Sequence, residues 1–217
     1  MTVSAVLFDL DGTLVDSLED LTDAVNHMRT SLGYDTITSA TVRGMVGNGA
    51  RNLVQRALDS DANELIEQGL TLFTDFNRNH IADKSRLYPG MKDALEMLAE
   101  RGIPMAVVSN KNENLSRLIL EALGVDHFFA RVCGGDTYPE RKPSPLPLLR
   151  VMDNLGYRPG QTVMIGDSIN DIQAGRTAGI ATIGCTWGYG EADELRDADF
   201  LADSCGQIAH ILLQRMT

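Results

Sequence analysis

The chain has 217 residues, 43% of them hydrophobic, and a formal net charge of −11. That length makes one large domain, or one of ordinary size with a smaller companion, and the apolar content is far above that of a disordered chain. Residues 16–85 carry 6 basic and 11 acidic side chains and the remainder 13 and 19, so there is no basic arm and no nucleic-acid partner is expected.

The N-terminal apolar stretch Val3–Phe8 has no basic residue before it and runs into Asp9 and Asp11, unlike a signal peptide. No apolar run approaches the roughly 18–20 residues of a membrane span, so no membrane partner is expected. Cys133, Cys185 and Cys205 lie far apart without metal spacing. An odd count gives no complete disulfide framework, and the three read as reduced thiols of a cytoplasmic protein.

In chain order, short apolar, β-branched runs alternate with amphipathic stretches. Strands are expected at Ala5–Phe8, Met105–Ser109, Arg131–Cys133, Thr162–Ile165 and Ala181–Gly184. Helices are expected at Met91–Arg101, Asn114–Leu123, Asp171–Ala178 and Ile208–Arg215, the first three followed by Gly102, Gly124 and Gly179. Continuous apolar strands separated by helices predict an α/β fold, a parallel sheet covered on both faces.

Between Ser17 and His80 the pattern contains no strand. Leu18, Leu21, Val25, Met28 and Leu32 recur at spacings of 3 and 4, with Ser17 placed to N-cap the helix they define. Further helices are expected at Ser39–Val46, after Gly49, and at Glu64–Asn79. The chain therefore divides into an α/β core of residues 1–15 and 86–217 and an inserted helical cap of residues 16–85.

Ligands of an open parallel sheet bind outside the carboxyl ends of the strands. Here those ends lead to Asp9-Leu10-Asp11-Gly12-Thr13, to Ser109-Asn110, to Lys142 and to Gly166-Asp167-Ser168 with Asp171 beyond. Carboxylates as close as Asp9 and Asp11 repel, and a divalent cation removes the conflict. Mg²⁺ takes about six oxygens, several of them from water. Asp9, a backbone carbonyl near Asp11, and Asp167 could supply the protein share, with Ser168 and Asp171 supporting them. Lys142, followed by three prolines, suits a phosphate. Thr13, Ser109 and Asn110 add polar groups for substrate.

These segments, in this order and across the whole chain, resemble the four motifs of the haloacid dehalogenase-like hydrolase superfamily. The resemblance implies a Rossmann-like core with a small helical cap. It implies a Mg²⁺-dependent phosphatase in which Asp9 is the nucleophile and Asp11 the general acid and base, assisted by Lys142. Val46-Gly47-Asn48-Gly49-Ala50, Gly166-Asp167-Ser168-x-Asn170-Asp171 and Gly188-Tyr189-Gly190 are further similar to bacterial phosphoglycolate phosphatases. That likeness implies a small phosphate ester, 2-phosphoglycolate, as substrate, with the metal at Asp9, Asp11 and Asp167. On this reading Asn48, the Gly49 N–H and Arg51 would meet the substrate carboxylate at a helix N-terminus. Alternatives are a phosphatase for a sugar phosphate, nucleotide or pyrophosphate, a mutase resembling β-phosphoglucomutase, and a non-catalytic binding protein. The full set of carboxylates and lysine speaks against the last.

Overall fold

A computed structural model describes residues 3–214. Six parallel strands form the main sheet in the order β5-β4-β1-β6-β7-β8. They are β1 Ala5–Phe8, β4 Met105–Val108, β5 Phe129–Cys133, β6 Thr162–Gly166, β7 Ala181–Cys185 and β8 Phe200–Ala202. The strand order reverses beside β1, which pairs with β4 on one side and β6 on the other. The carboxyl ends of these three central strands thus lie together at a topological switch point.

The continuous apolar strands divide their side chains between two cores. Val6 and Phe8 of β1, Met105 and Val107 of β4, and Val163 and Ile165 of β6 join one cluster. Leu7, Ala106, Val108 and Met164, the alternate positions, join the other. The first cluster takes Leu95 and Leu98 of α5 (Met91–Glu100), Ile119 and Leu120 of α6 (Glu113–Ala122), and Ile208 and Leu212 of α9 (Cys205–Gln214). The second takes Leu148, Val151 and Met152 of α7 (Leu146–Leu155) and Ala174 of α8 (Ile169–Thr177). Each fully buried side chain of Leu or Phe size contributes about 1.5–3 kcal/mol relative to exposure, which makes β1 the most rigid support available for Asp9.

Helices α1 Leu18–Ser31, α2 Ser39–Arg43, α3 Ala50–Leu58 and α4 Asn63–Asn79 pack around a third cluster that includes Leu21, Met28, Val54, Leu58 and Phe73. Gly69 lets α4 approach closely, since a Cβ there would press on Leu58, Val54 and the Met28 sulfur. Both crossings between these helices and the sheet pass through a two-residue antiparallel pair, β2 (Val15–Asp16) with β3 (Arg86–Leu87).

Several elements differ from the sequence expectation. The β2–β3 pair is too short to show periodicity. Edge strand β8 is not among the expected strands, and it leaves Leu201 about half exposed. Helix α7 is not among the expected helices; Pro147 falls in its first turn, where a missing N–H breaks no helix hydrogen bond. Helix α9 begins at Cys205 rather than Ile208, and Arg215, expected at its end, lies outside the described residues. Ser17 precedes α1 but does not cap it through its side chain. Its hydroxyl donates to Asp11 Oδ1 at 2.6 Å instead.

Candidate active site

Asp9 follows β1 directly, and its N–H donates to the Ile165 carbonyl of β6 at 2.9 Å. The chain then turns tightly, with the Gly12 N–H donating to the Val15 carbonyl at 2.9 Å. Gly12 has φ +88°, and a Cβ there would run into the Asp167 carboxylate. Glycine is therefore demanded twice, by conformation and by the close approach of β6. Asp167 itself is fixed by Thr13 Oγ1, which donates to its Oδ1 at 2.7 Å, and by the Tyr189 N–H, which donates to its Oδ2 at 2.7 Å.

Asp171 stands in the first turn of α8 and is fully buried. The N–H and Oγ of Ser168 donate to its Oδ2 at 3.1 and 2.8 Å, and Lys142 Nζ donates to its Oδ1 at 2.6 Å. The same ammonium lies 3.0 Å from Asp9 Oδ1, with its own side chain 1% exposed. Lys142 thus bridges the tips of β1 and β6 from the loop between β5 and α7, where a cis peptide bond joins it to Pro143.

Carboxylate oxygens of Asp9, Asp167 and Asp171 all lie within 4.8 Å of one another. Lys142 is paired with Asp9 and Asp171 but not with Asp167, so the buried acids outnumber the ammonium. Burial pushes the Asp9 carboxyl up to about 6, with the Asp171 charge adding to the rise and Lys142 opposing it. Burial, then the charges of Asp9 and Asp171, push Asp167 up to about 7. Asp9 Oδ1 is buried and accepts no hydrogen bond of good geometry, the lysine contact being an ion pair only. A carboxylate oxygen with no hydrogen bond besides its Lys142 ion pair, and two more buried carboxylates within 4.8 Å, fits a hard divalent cation such as Mg²⁺.

The Asp11 carboxylate is not in that cluster. Besides Ser17 it faces Lys111, whose Nζ is 3.3 Å from both of its oxygens. Asp9 and Asp11 border two cavities. One, of about 50 Å³, runs between the strand tips and the helices and is walled by Leu21, Val46, Leu53, Phe73 and Leu115. The other, of about 280 Å³, is polar and reaches Asp167, Ser168 and Asn170.

Ser109 and Asn110 lie at the β4 tip and line the smaller cavity. Asn110 Nδ2 donates to the carbonyls of Gly47 at 2.9 Å and Lys142 at 2.8 Å. Asn170 Nδ2 donates to the Gly47 carbonyl and to Asn48 Oδ1, each at 3.2 Å. Gly49 lines the smaller cavity and Asn48 the larger. Arg51 is not brought to the site. Its guanidinium pairs with Glu67 and donates to Asn63 Oδ1 at 3.0 Å, and it borders neither cavity. Ala50 and Leu53 take the cavity-facing positions of α3, and one residue on from Ala50 a helix has turned about 100° away.

Of four further residues at the site, Lys111 and Asn77 were not singled out by sequence, whereas Tyr189 belongs to the Gly188-Tyr189-Gly190 segment and Trp187 directly precedes it. Lys111, with a side chain 7% exposed, directly follows the Ser109-Asn110 pair, and that position was the signal available for it. Asn77 of α4 enters the smaller cavity. Tyr189 accepts at its hydroxyl from the Ser17 N–H at 2.7 Å and donates to Asp16 Oδ1 at 3.1 Å. Trp187 Nε1 donates to the Thr13 carbonyl at 3.2 Å.

A family profile described as haloacid dehalogenase-like hydrolase matches residues 6–185. The chain is 40% identical over 215 residues to a phosphoglycolate phosphatase of Chromobacterium violaceum, spanning 97% of this chain and 96% of that protein. It is 42% identical over 202 residues to a phosphoglycolate phosphatase of Neisseria meningitidis, spanning 91% and 86%. The crystal structure of a predicted phosphoglycolate phosphatase from Haemophilus somnus superposes with a TM-score of 0.92 at 34% identity, covering 97% of this chain and 98% of that one. The buried acids at the strand tips, the helices over them and these relatives agree, and the chain belongs to the haloacid dehalogenase-like hydrolases, with the build of a phosphatase.

Proposed function

We propose that the chain hydrolyses a small phosphomonoester by way of an aspartyl-phosphate on Asp9, with 2-phosphoglycolate, the substrate named in its relatives, as the ester. The observation that carries the reading is Asp9 Oδ1: buried, without a hydrogen-bond partner, and 3.0 Å from the Lys142 ammonium. A carboxylate so placed is desolvated, oriented and free to form a bond to phosphorus.

Attack by Asp9 forms the Asp9 oxygen–phosphorus bond and breaks the bond from phosphorus to the ester oxygen. Asp11 gives a proton to the departing alkoxide. A water molecule then loses its proton to Asp11 and attacks the phosphorus, releasing phosphate and restoring Asp9. Lys142 offsets charge on the phosphoryl oxygens, since such transfer is mostly positioning and electrostatics. Asp9, Asp167 and the Asp11 carbonyl are the groups that would hold Mg²⁺, with Asp171 and Ser168 behind them; the ion supplies further charge neutralisation. The division into a core of residues 1–15 and 86–217 and a cap of residues 16–85 is part of this reading. It is supported by the separate apolar core of the helices and by the short strand pair at both crossings. With the helices over the strand tips, water is kept from the reacting atoms.

The smaller cavity, about 50 Å³ and largely apolar, has room for a short leaving group beside Asp9 and Asp11, and the polar cavity of about 280 Å³ borders the same two aspartates. Asp9→Asn should reduce phosphate release from 2-phosphoglycolate by at least roughly 10³-fold while leaving the circular dichroism spectrum unchanged. Near-normal turnover in that variant would exclude the scheme.

A further inference from the structure

Tyr189 joins three parts of the molecule through three different groups. Its hydroxyl accepts from the Ser17 N–H at 2.7 Å and donates to Asp16 Oδ1 at 3.1 Å, at the first crossing from sheet to helices. Its N–H donates to Asp167 Oδ2 at 2.7 Å, and the Gly190 N–H adds a longer contact of 3.4 Å to the same oxygen. Its carbonyl accepts from Arg43 Nε at 3.3 Å, while Arg43 Nη2 donates to the Gly188 carbonyl at 2.5 Å.

The loop and the carboxylate are packed so closely that neither moves alone. A Cβ at Gly188 would run into the Asp167 side chain, and one at Gly190 into the Asp167 carbonyl. Residues 186–190 follow β7 as turn and bend, with no strand or helix of their own to fix them. The shape of this segment therefore depends on what its backbone groups are bonded to. Asp167 Oδ1 accepts from Thr13, so the loop decides where the other oxygen lies.

Arg43 is the last residue of α2, and Val42 beside it is buried in the helical cluster. The guanidinium that holds the loop thus belongs to the helices, while the carboxylate that the loop holds belongs to the tip of β6. A planar fork supplies two donors at once to the two adjacent carbonyls, which an ammonium point charge does not reproduce.

We infer that Arg43 is a positioning residue for Asp167. With the helices seated over the strand tips, its grip on the Gly188 and Tyr189 carbonyls sets the N–H groups that orient the carboxylate for a divalent cation. This deepens the reading above and rests on its assignment of Asp167 to the metal. Cation binding and the seating of the helices are then coupled, each favouring the other by the same factor.

The test is titration of the full chain with Mg²⁺, without substrate, by isothermal titration calorimetry. Charge and positioning predict opposite signs. Taking a positive charge away from the neighbourhood of a cation tightens its binding, whereas loosening the loop weakens it. Groups that orient a metal ligand change affinity by about 10–100-fold, and Arg43 acts one bond further out, so Arg43→Ala should weaken Mg²⁺ binding by about fivefold or more. Arg43→Lys keeps the charge but not the fork; it should weaken binding by about two- to threefold and serves if the alanine variant does not fold. Arg56 borders the same polar cavity and makes no bond to the loop among the described residues, so Arg56→Ala should not weaken binding. Unchanged or tighter Mg²⁺ binding in the folded Arg43 variants, or equal weakening in Arg56→Ala, overturns the inference while leaving the phosphatase reading intact. A native chain that binds no Mg²⁺ overturns the assignment of Asp167 as well.

Discussion

Ser85 donates both its N–H and its hydroxyl to Asp20 Oδ2, at 2.8 and 2.6 Å. The Lys84 N–H adds a contact of 3.1 Å to each Asp20 oxygen. Asp20 lies in the first turn of α1, just after the chain enters the helices, and Ser85 lies just before it re-enters the sheet at β3. A carboxylate 2% exposed therefore ties the two crossings to each other. Removing it leaves two backbone donors without their acceptor.

Asp20→Ala should accordingly lower the unfolding free energy by about 2–4 kcal/mol, from hydrogen bonds to a charged group plus donors left unpaired. Ser85→Ala, which keeps the backbone bond, should cost about 1 kcal/mol. Urea denaturation of both single variants and the double variant measures the coupling, expected at about 1 kcal/mol because the side chains touch. Strict additivity would mean that the pair does not act as a unit.

The acid cluster has a consequence for pH. In the folded chain, without a cation, the carboxyls of Asp9 and Asp167 are held up at about 6 and about 7, above their ordinary value of 3.8. The folded state then retains protons that the unfolded chain has released, so stability falls as pH rises from about 4 through 7. A cation that takes the place of those protons restores it. Mg²⁺ at about 100 times its dissociation constant stabilises by about 2.7 kcal/mol, or about 5–10 °C in a chain of this size. At pH 8 that full shift is expected. At pH 5, where protons compete for the same oxygens, it should shrink to about 1–2 °C. Differential scanning calorimetry with Mg²⁺ or with a chelator at both pH values decides it; the same shift at pH 5 and pH 8 would contradict the assignment of these carboxylates.

Much of this site could be read from sequence for a physical reason. Strands β1, β4 and β6 are buried on both faces, so they are continuous apolar runs, and the polar residues that interrupt them must stand at their ends. Asp9, Ser109 and Asp167 were recognisable by that contrast. What burial and distant partners decide was not legible. Asp20 looks like an ordinary polar residue until its partner 65 positions away is seen. Asn77 sits on the buried side of α4 among Phe73 and Ile66, where helical periodicity expects an apolar residue, and only the structure shows that it borders the cavity. Lys111 was obscured by its composition class, since an isolated lysine usually lies at the surface.

Arg51 shows the opposite failure, a charged residue in a favourable sequence context whose helix turns it elsewhere. It lies one residue after the start of α3, so the anion-attracting N-terminus is near, yet its guanidinium is committed to Glu67 and Asn63. Both members of the ion pair are substantially exposed, with side chains 39% and 62% accessible. Exposed pairs contribute about 0–1 kcal/mol. Arg51→Ala should therefore change stability by less than about 1 kcal/mol. The same variant should leave the KM for 2-phosphoglycolate within about twofold, since no lost contact to substrate is available to raise it. Steady-state kinetics on this variant checks the placement directly. A tenfold rise in KM for the Arg51 variant would require α3 to rotate on binding and bring the guanidinium over Gly49.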